Sequence, residues 1–232
     1  MFLIVSSLLN LAVGLADPIE AALRATEAPN SLRVAFEVEI KSDSGFRIFA
    51  FDPRLPLEEQ WTLVSEAGED AFLDDLAATW GAEAAPDGRL FPDDLRASIG
   101  TDIAVEEIGP AWRLGFRHAP SANDGAFDVW AAERLDATAW LAPEAGRFLR
   151  IDYVLPRPVN GPEGGRLLRF DQSYFLETDP TYNVSLVTAL TVKFEARGGL
   201  RTIRKSYTAR TLRAEIFFAT PEDEAAFLSE QG

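Results

Sequence analysis

The sequence predicts an α+β protein that is mainly β: a large, curved antiparallel sheet with helices covering one face. Three observations predict it. Long segments alternate apolar and polar residues with a period of two, the pattern of half-buried antiparallel strands. The last of them, "LRTIRKSYTARTLRAEIFFA" at Leu200–Ala219, changes parity partway, which needs a bulge or bend close to Arg210. Helical patterns are short and fall mostly before the late strands, where they are the available cover for one apolar sheet face.

The first sixteen residues, "MFLIVSSLLNLAVGLA", are apolar and end in small residues. They read as a secretory signal peptide cut after Ala16, although no Lys or Arg precedes the apolar run. A buried N-terminal strand or helix is the other reading. Residues 17–232 read as one domain with a helix-rich insertion at about 55–100.

Asp17-Pro18 is a helix start, an N-cap acid followed by proline at N1, and Ile19, Ala22 and Leu23 supply its apolar stripe. Leu32, Val34, Phe36, Val38 and Ile40 then alternate with charged residues, and "FRIFAF" is the returning strand. Gln60–Ser65 is expected as a short strand. Glu69–Trp80 is expected as a helix, with Phe72, Leu73, Leu76 and Trp80 three or four apart. Asp93–Ile99 adds a helical turn.

From Trp112 the chain reads as strands, including Phe127–Glu133 and Leu135–Leu141. In the hairpin around Ala142–Gly146, Leu149, Ile151 and Tyr153 alternate with Arg150 and Asp152. Pro156–Gly165 is a connection. Leu168, Phe170, Tyr174 and Leu176 share one face of the next strand; Val184, Leu186, Leu190, Val192 and Phe194 share one face of the following one. Ile203 and Tyr207, then Leu212, Ala214, Ile216 and Phe218, mark the parity change. Pro221–Leu228 closes the chain as a helix.

The net charge is −15, unevenly spread. Asp17–Gly146 holds ten basic and twenty-six acidic residues, Arg147–Glu215 twelve and seven. So acidic a chain is not expected to bind nucleic acid. Arg201, Arg204 and Lys205 are candidates for a basic surface facing an anionic head group or an acidic protein. The alternative is neutralisation by Asp152, Asp171, Glu177 and Glu195 on the same strands. The absence of cysteine excludes disulfides and a lipid-anchoring cysteine.

His118, in the polar loop "RHAPSAND", is the single histidine and is expected at the surface, so neither a zinc site nor a Ser-His-Asp triad is expected. Asp74-Asp75 and Asp93-Asp94 are adjacent pairs whose side chains diverge on a helix, unsuited to paired acid–base work. "GPEGG" lacks the Lys-Ser/Thr of a phosphate loop. No catalytic residue, metal or cofactor is expected. The binding feature is the apolar sheet face. Phe170, Tyr174, Leu186, Leu190, Phe194, Leu212 and Ile216 either line a groove for an acyl chain or simply fill a core.

The start helix, "SLRVAFEVEI" with its return "GFRIFAFDP", and the long late hairpins resemble the LolA-like envelope proteins. "WLAPEAGRFLRIDYVL" is similar to the strand–turn–strand hairpin common in that family. "FDPRLPLEEQWTLVSEAGED" is similar to a segment of uncharacterised proteobacterial exported proteins. The resemblance covers much of Asp17–Ala219 as an order of elements, and the insertion at about 55–100 departs from it. It implies a strongly curved sheet, an incomplete barrel, with helices covering its concave face. Together with the apolar leader and the absence of cysteine, the expectation is a soluble periplasmic protein without a transmembrane segment in the mature chain. A lipid or lipoprotein acyl chain is the implied partner. The alternative is an envelope scaffold with a filled core that meets another protein. An open space between sheet and helices would separate the two.

Overall fold

The computed structural model describes residues 17–92, 94–100, 102–119, 126–161, 165–199 and 201–231. The apolar run before Asp17 and most of the loop expected at Ala119–Gly125 lie outside the described residues.

The chain begins with helix α1 (Pro18–Thr26), β1 (Leu32–Ser42), β2 (Phe46–Phe51) and β3 (Trp61–Ala67). Helices α2 (Ala71–Gly81) and α3 (Leu95–Ile99) follow, joined by a 3-10 turn at Pro86–Leu90. Then come β4 (Ala104–Ile108), β5 (Ala111–Phe116), α4 (Ala126–Ala132), β6 (Asp136–Ala142) and β7 (Arg147–Val154). The short β8 (Val159–Asn160) precedes the long β9 (Arg166–Thr178), β10 (Ser185–Gly198) and β11 (Arg201–Phe218), and α5 (Pro221–Gln231) ends the chain.

All eleven strands form one antiparallel sheet in the order β3-β2-β1-β11-β10-β9-β7-β6-β5-β4, with β8 on β9. The sheet does not close, and β3 and β4 are its edges. Two meanders, β1 to β3 and β4 to β11, meet where the first strand pairs with the last, Leu32 opposite Phe218.

Three apolar clusters lie along the buried face. Ala22 and Leu23 of α1, with Leu95 and Ile99 of α3, pack on Leu114, Ala139, Leu141, Phe148 and Ile151. Leu73, Ala77 and Trp80 of α2 pack on Val34, Phe36, Val38, Ile40 and Phe51. Phe227 of α5 joins Leu32, Val184 and Phe218. As the Asp17-Pro18 signature predicts, Asp17 caps α1, its carboxylate accepting from the Ile19 N–H at 3.0 Å. The β6–β7 turn needs glycine at Gly146, where φ is +56° and a Cβ would stand 2.9 Å from the Ala21 methyl of α1.

The expected irregularity near Arg210 is a bulge at Leu212, which has no partner between the pairs Glu37–Arg213 and Val38–Thr211. Before it the odd residues Tyr207, Ala209 and Thr211 share the face of Val38; after it the even residues Ala214, Ile216 and Phe218 do. Similar register shifts leave Val64 of β3 and Leu149 of β7 unpaired. These three bulged apolar side chains are about half exposed. A bulge inserts a residue that neither alternation claims, so it can point outward whatever its chemistry. Leu149 therefore drops out of the expected alternation with Ile151 and Tyr153: Phe148, 1% exposed, takes the buried place opposite Leu141.

A second correction concerns Phe127–Glu133, expected as a strand. The segment is helical: α4 ends at Ala132. Ala131 and Ala132 are both buried, adjacent residues that a strand would send to opposite faces. Strand β4, "AVEEI", carries no apolar alternation of its own, and β8 has only two residues, so neither is legible as a strand in the sequence.

Arginine–carboxylate pairs stitch the exposed faces. Arg96 of α3 reaches Glu20 and Glu27 of the α1 segment, Arg54 joins Asp52 to Glu215, and Arg204 faces Glu195. These arginines hold the Glu20, Asp52, Glu195 and Glu215 carboxyls below their usual range, as the Ser42 hydroxyl does for Asp70. A lowered folded value means that folding stability is present above the unfolded value, about 4, and is lost as pH falls through the folded one. Tyr207, raised by burial, and Tyr182, raised by its hydrogen bond to Glu224, act in the opposite sense at high pH. Self-repulsion of the acidic chain relaxes on the way down to its isoelectric point near 4.5. The urea midpoint is therefore expected to fall below about pH 4 and above about pH 10. A midpoint that rose steadily from pH 5 to pH 3 would contradict this assignment.

Candidate functional site

A cavity of about 400 Å³ lies between the buried sheet face and the covering segments. Register places its floor. Ile40, Ala209, Leu190, Tyr174, Ile151, Ala139 and Leu114 form one row across seven strands. The next row runs Ser42, Tyr207, Val192, Gln172, Tyr153, Ala137 and Phe116. A third holds Lys205, Phe194 and Phe170. The floor takes Ala209, Leu190, Tyr174 and Ile151 from the first row, Tyr207, Gln172 and Tyr153 from the second, and Phe170 from the third. Phe36, Val38 and Val187 extend it.

The roof comes from Trp80 of α2, the Pro86–Leu90 turn with Phe91 and Pro92, Asp94, Leu95 and Ser98 at α3, and Ala131 and Ala132 of α4. One buried acid anchors this roof. Asp87, 2% exposed, accepts from Arg33 Nε at 2.6 Å and from a second Arg33 nitrogen at 3.0 Å. It also accepts from the Val34 N–H at 3.2 Å. Strand β2 pairs with β1 only from Phe36 onward, so Asp87 takes up a β1 amide beyond the end of β2. The fork-to-fork geometry orients the turn as well as holding it.

The lining is apolar toward β1 and α2, where Phe36, Val38, Trp61, Trp80 and Leu90 meet. It is more polar across β11, β9 and β7. Gln172 donates from Nε2 to the Tyr174 hydroxyl. Tyr153 is edge-on to Tyr174, with centroids 6.3 Å apart, and to His118 at 5.7 Å. His118, expected at the surface, is half-buried and lines the cavity. Burial raises the Tyr207 phenol, with nearby Arg89 opposing it. Arg89 stacks on the Trp80 ring at 4.8 Å and forms a two-pronged ion pair with Glu83. Asp94 stands at the N-cap position of α3 without accepting from the helix's first amides, unlike Asp17 and Asp70 in theirs.

Of the seven predicted groove residues, Phe170, Tyr174 and Leu190 line the cavity. Leu186 is buried in the core and Ile216 packs against it. Phe194 shares the floor's face at its far end, outside the lining. Leu212 is contradicted: as the bulged residue it is 46% exposed on the outside. The predicted basic surface divides as well. Arg204 is on the outer face, 2.9 Å from Glu195, whereas Lys205 is on the opposite face, 4.7 Å over the Phe72 ring. Arg201 is exposed at the start of β11. Alternation along one strand forbids Arg204 and Lys205 from sharing a surface. Arg150 with Asp152 and Arg169 with Asp171 pair in the neutralising way.

Gln172 and Tyr207 went unnoticed as site residues, although Gln172 left a signal. It sits at the inward parity between Phe170 and Tyr174, where an ordinary core would place an apolar residue. Among the described residues no cluster of three or more His, Cys, Asp or Glu could hold a metal ion, and no helix is long and apolar enough to cross a membrane.

The fold and site together define a mainly β protein with an open antiparallel sheet and a roofed, largely apolar cavity. No family model, curated protein or solved structure matches the chain.

Proposed function

We propose that the protein is a non-enzymatic, exported protein of the periplasm that binds an acyl chain or another apolar group between sheet and helices. In this reading the sheet is the strongly curved, incomplete barrel of the LolA-like proteins and the helices cover its concave face. The repeated bulges support such bending. The observation that carries the binding reading is the cavity itself. Well-packed interiors leave few voids larger than a water molecule, and about 400 Å³ lies within the range of small-molecule pockets. A scaffold with a filled core would bury the same residues and leave no such space.

The test is titration of the purified protein with N-phenylnaphthylamine, a neutral fluorophore that brightens in apolar surroundings. Saturable binding at one site per chain is expected. Leu190→Trp, which fills the cavity from its floor, is expected to weaken binding at least about tenfold with little change in melting temperature. Absence of binding, or full binding by a folded Leu190→Trp protein, leaves the scaffold reading in place.

A further inference from the structure

The cavity floor carries more information than its apolar area. Three of its residues, Tyr207, Gln172 and Tyr153, come from one register row on β11, β9 and β7, and Tyr174 adjoins them from the next. Together they place a band of neutral hydrogen-bonding groups across a cavity whose other end, at Phe36, Trp61, Trp80 and Leu90, is apolar. Gln172 gives one N–H to Tyr174, and no other described hydrogen bond uses its side chain. Its second N–H and its carbonyl remain to meet an occupant. The Tyr207 hydroxyl, in the same row and also on the lining, enters no described hydrogen bond.

With His118 counted as neutral at pH 7, formal charge on the lining is confined to the roof. Arg89 is already engaged by Glu83 and by the Trp80 ring, and Asp94 is an exposed residue. An anionic head group would have to draw Arg89 away from Glu83 and enter beside Asp94. A cationic one would face Arg89. Either would leave water for a floor with no opposite charge to offer, and an unpaired charge is expensive to desolvate. The volume is near the lower end of the range for such pockets, suited to one chain rather than two.

From these features we infer that the occupant is a single-chain amphiphile with an uncharged hydrogen-bonding head, an alcohol, ester or amide. Its chain lies toward Phe36 and Trp80, and its head meets Gln172 and Tyr207. This rests on the binding reading above and specifies its ligand.

Displacement of N-phenylnaphthylamine by three amphiphiles of equal chain length tests it: dodecanol, dodecanoate and dodecyltrimethylammonium, at neutral pH and fixed salt. Dodecanol is expected to compete best. Gln172→Leu and Tyr207→Phe are each expected to lower the affinity of dodecanol relative to that of the fluorophore by about three- to tenfold, the scale of one hydrogen bond, with the fluorophore titrated directly against each variant. Circular dichroism and the melting temperature show that the variants are folded. Stronger competition by dodecanoate, lost in Arg89→Gln, would overturn the inference in favour of an anionic head. So would variants that leave dodecanol untouched, or failure of all three to displace a bound fluorophore. Failure of the fluorophore itself to bind would instead remove the binding reading, and this inference with it.

Discussion

Asp87→Ala is expected to lower folding stability by about 3 kcal/mol, near the lower limit for breaking a buried ion pair because Arg33 stays one-third exposed and partly rehydrates. The carboxylate satisfies three donors at once, two on Arg33 and the Val34 amide. Alanine strands all three beside the roof. Since the Pro86–Leu90 turn forms part of that roof, the same variant should weaken fluorophore binding under conditions where it remains folded. Asp87→Asn, which keeps an acceptor for Val34, should cost less. Urea denaturation of the three proteins measures the order. Equal stability of Asp87→Ala and the parent would show that the clasp contributes nothing.

Arg47→Ala is expected to cost about 2–3 kcal/mol, through lost hydrogen bonds and lost packing of a buried side chain. Arg47, 4% exposed, bonds Asp74 of α2 at 2.8 Å and lies 3.2 Å from Glu66 of β3. Its guanidinium also donates to the carbonyls of Phe46, Ala67 and Gly68. It therefore ties the β2–β3 edge to the first turn of α2. The two acids are more than half exposed. Asp74→Ala, which leaves Arg47 its carbonyls and Glu66, should accordingly cost only about 1 kcal/mol or less. If the two substitutions proved equally costly, the carbonyl contacts would not be where the stabilisation lies.

Neither contact could be read from the sequence. Arg33 and Asp87 are fifty-four positions apart, and Arg33 looked like any charged residue on the solvent side of an alternating strand. Arg47 stands in "FRIFAF" at an inward parity, a discrepancy visible in the letters, but only the arrival of α2 and the β3 turn explains it. Gln172 and Lys205 are similar cases, polar residues at inward positions. One faces the cavity and the other lies over Phe72. The parity exception is legible; the group that answers it is not.

The sequence by itself determined the antiparallel, mainly β character, the capped first helix, the helix carrying Phe72 to Trp80 and the break in the last strand. These depend on spacing within one segment, and a period of two or a cap with proline is a local property of the chain. Tertiary structure decided the rest. It paired β1 with β11 across almost the whole chain, turned Leu149 and Leu212 outward at bulges, and made Ala126–Ala132 a helix where two adjacent alanines had to be buried together. It also separated core from cavity: Leu186 and Leu190 belong to one alternating set, yet only Leu190 lines the cavity. A void is what remains after side chains from distant segments have filled the space between sheet and roof, so no single segment encodes it.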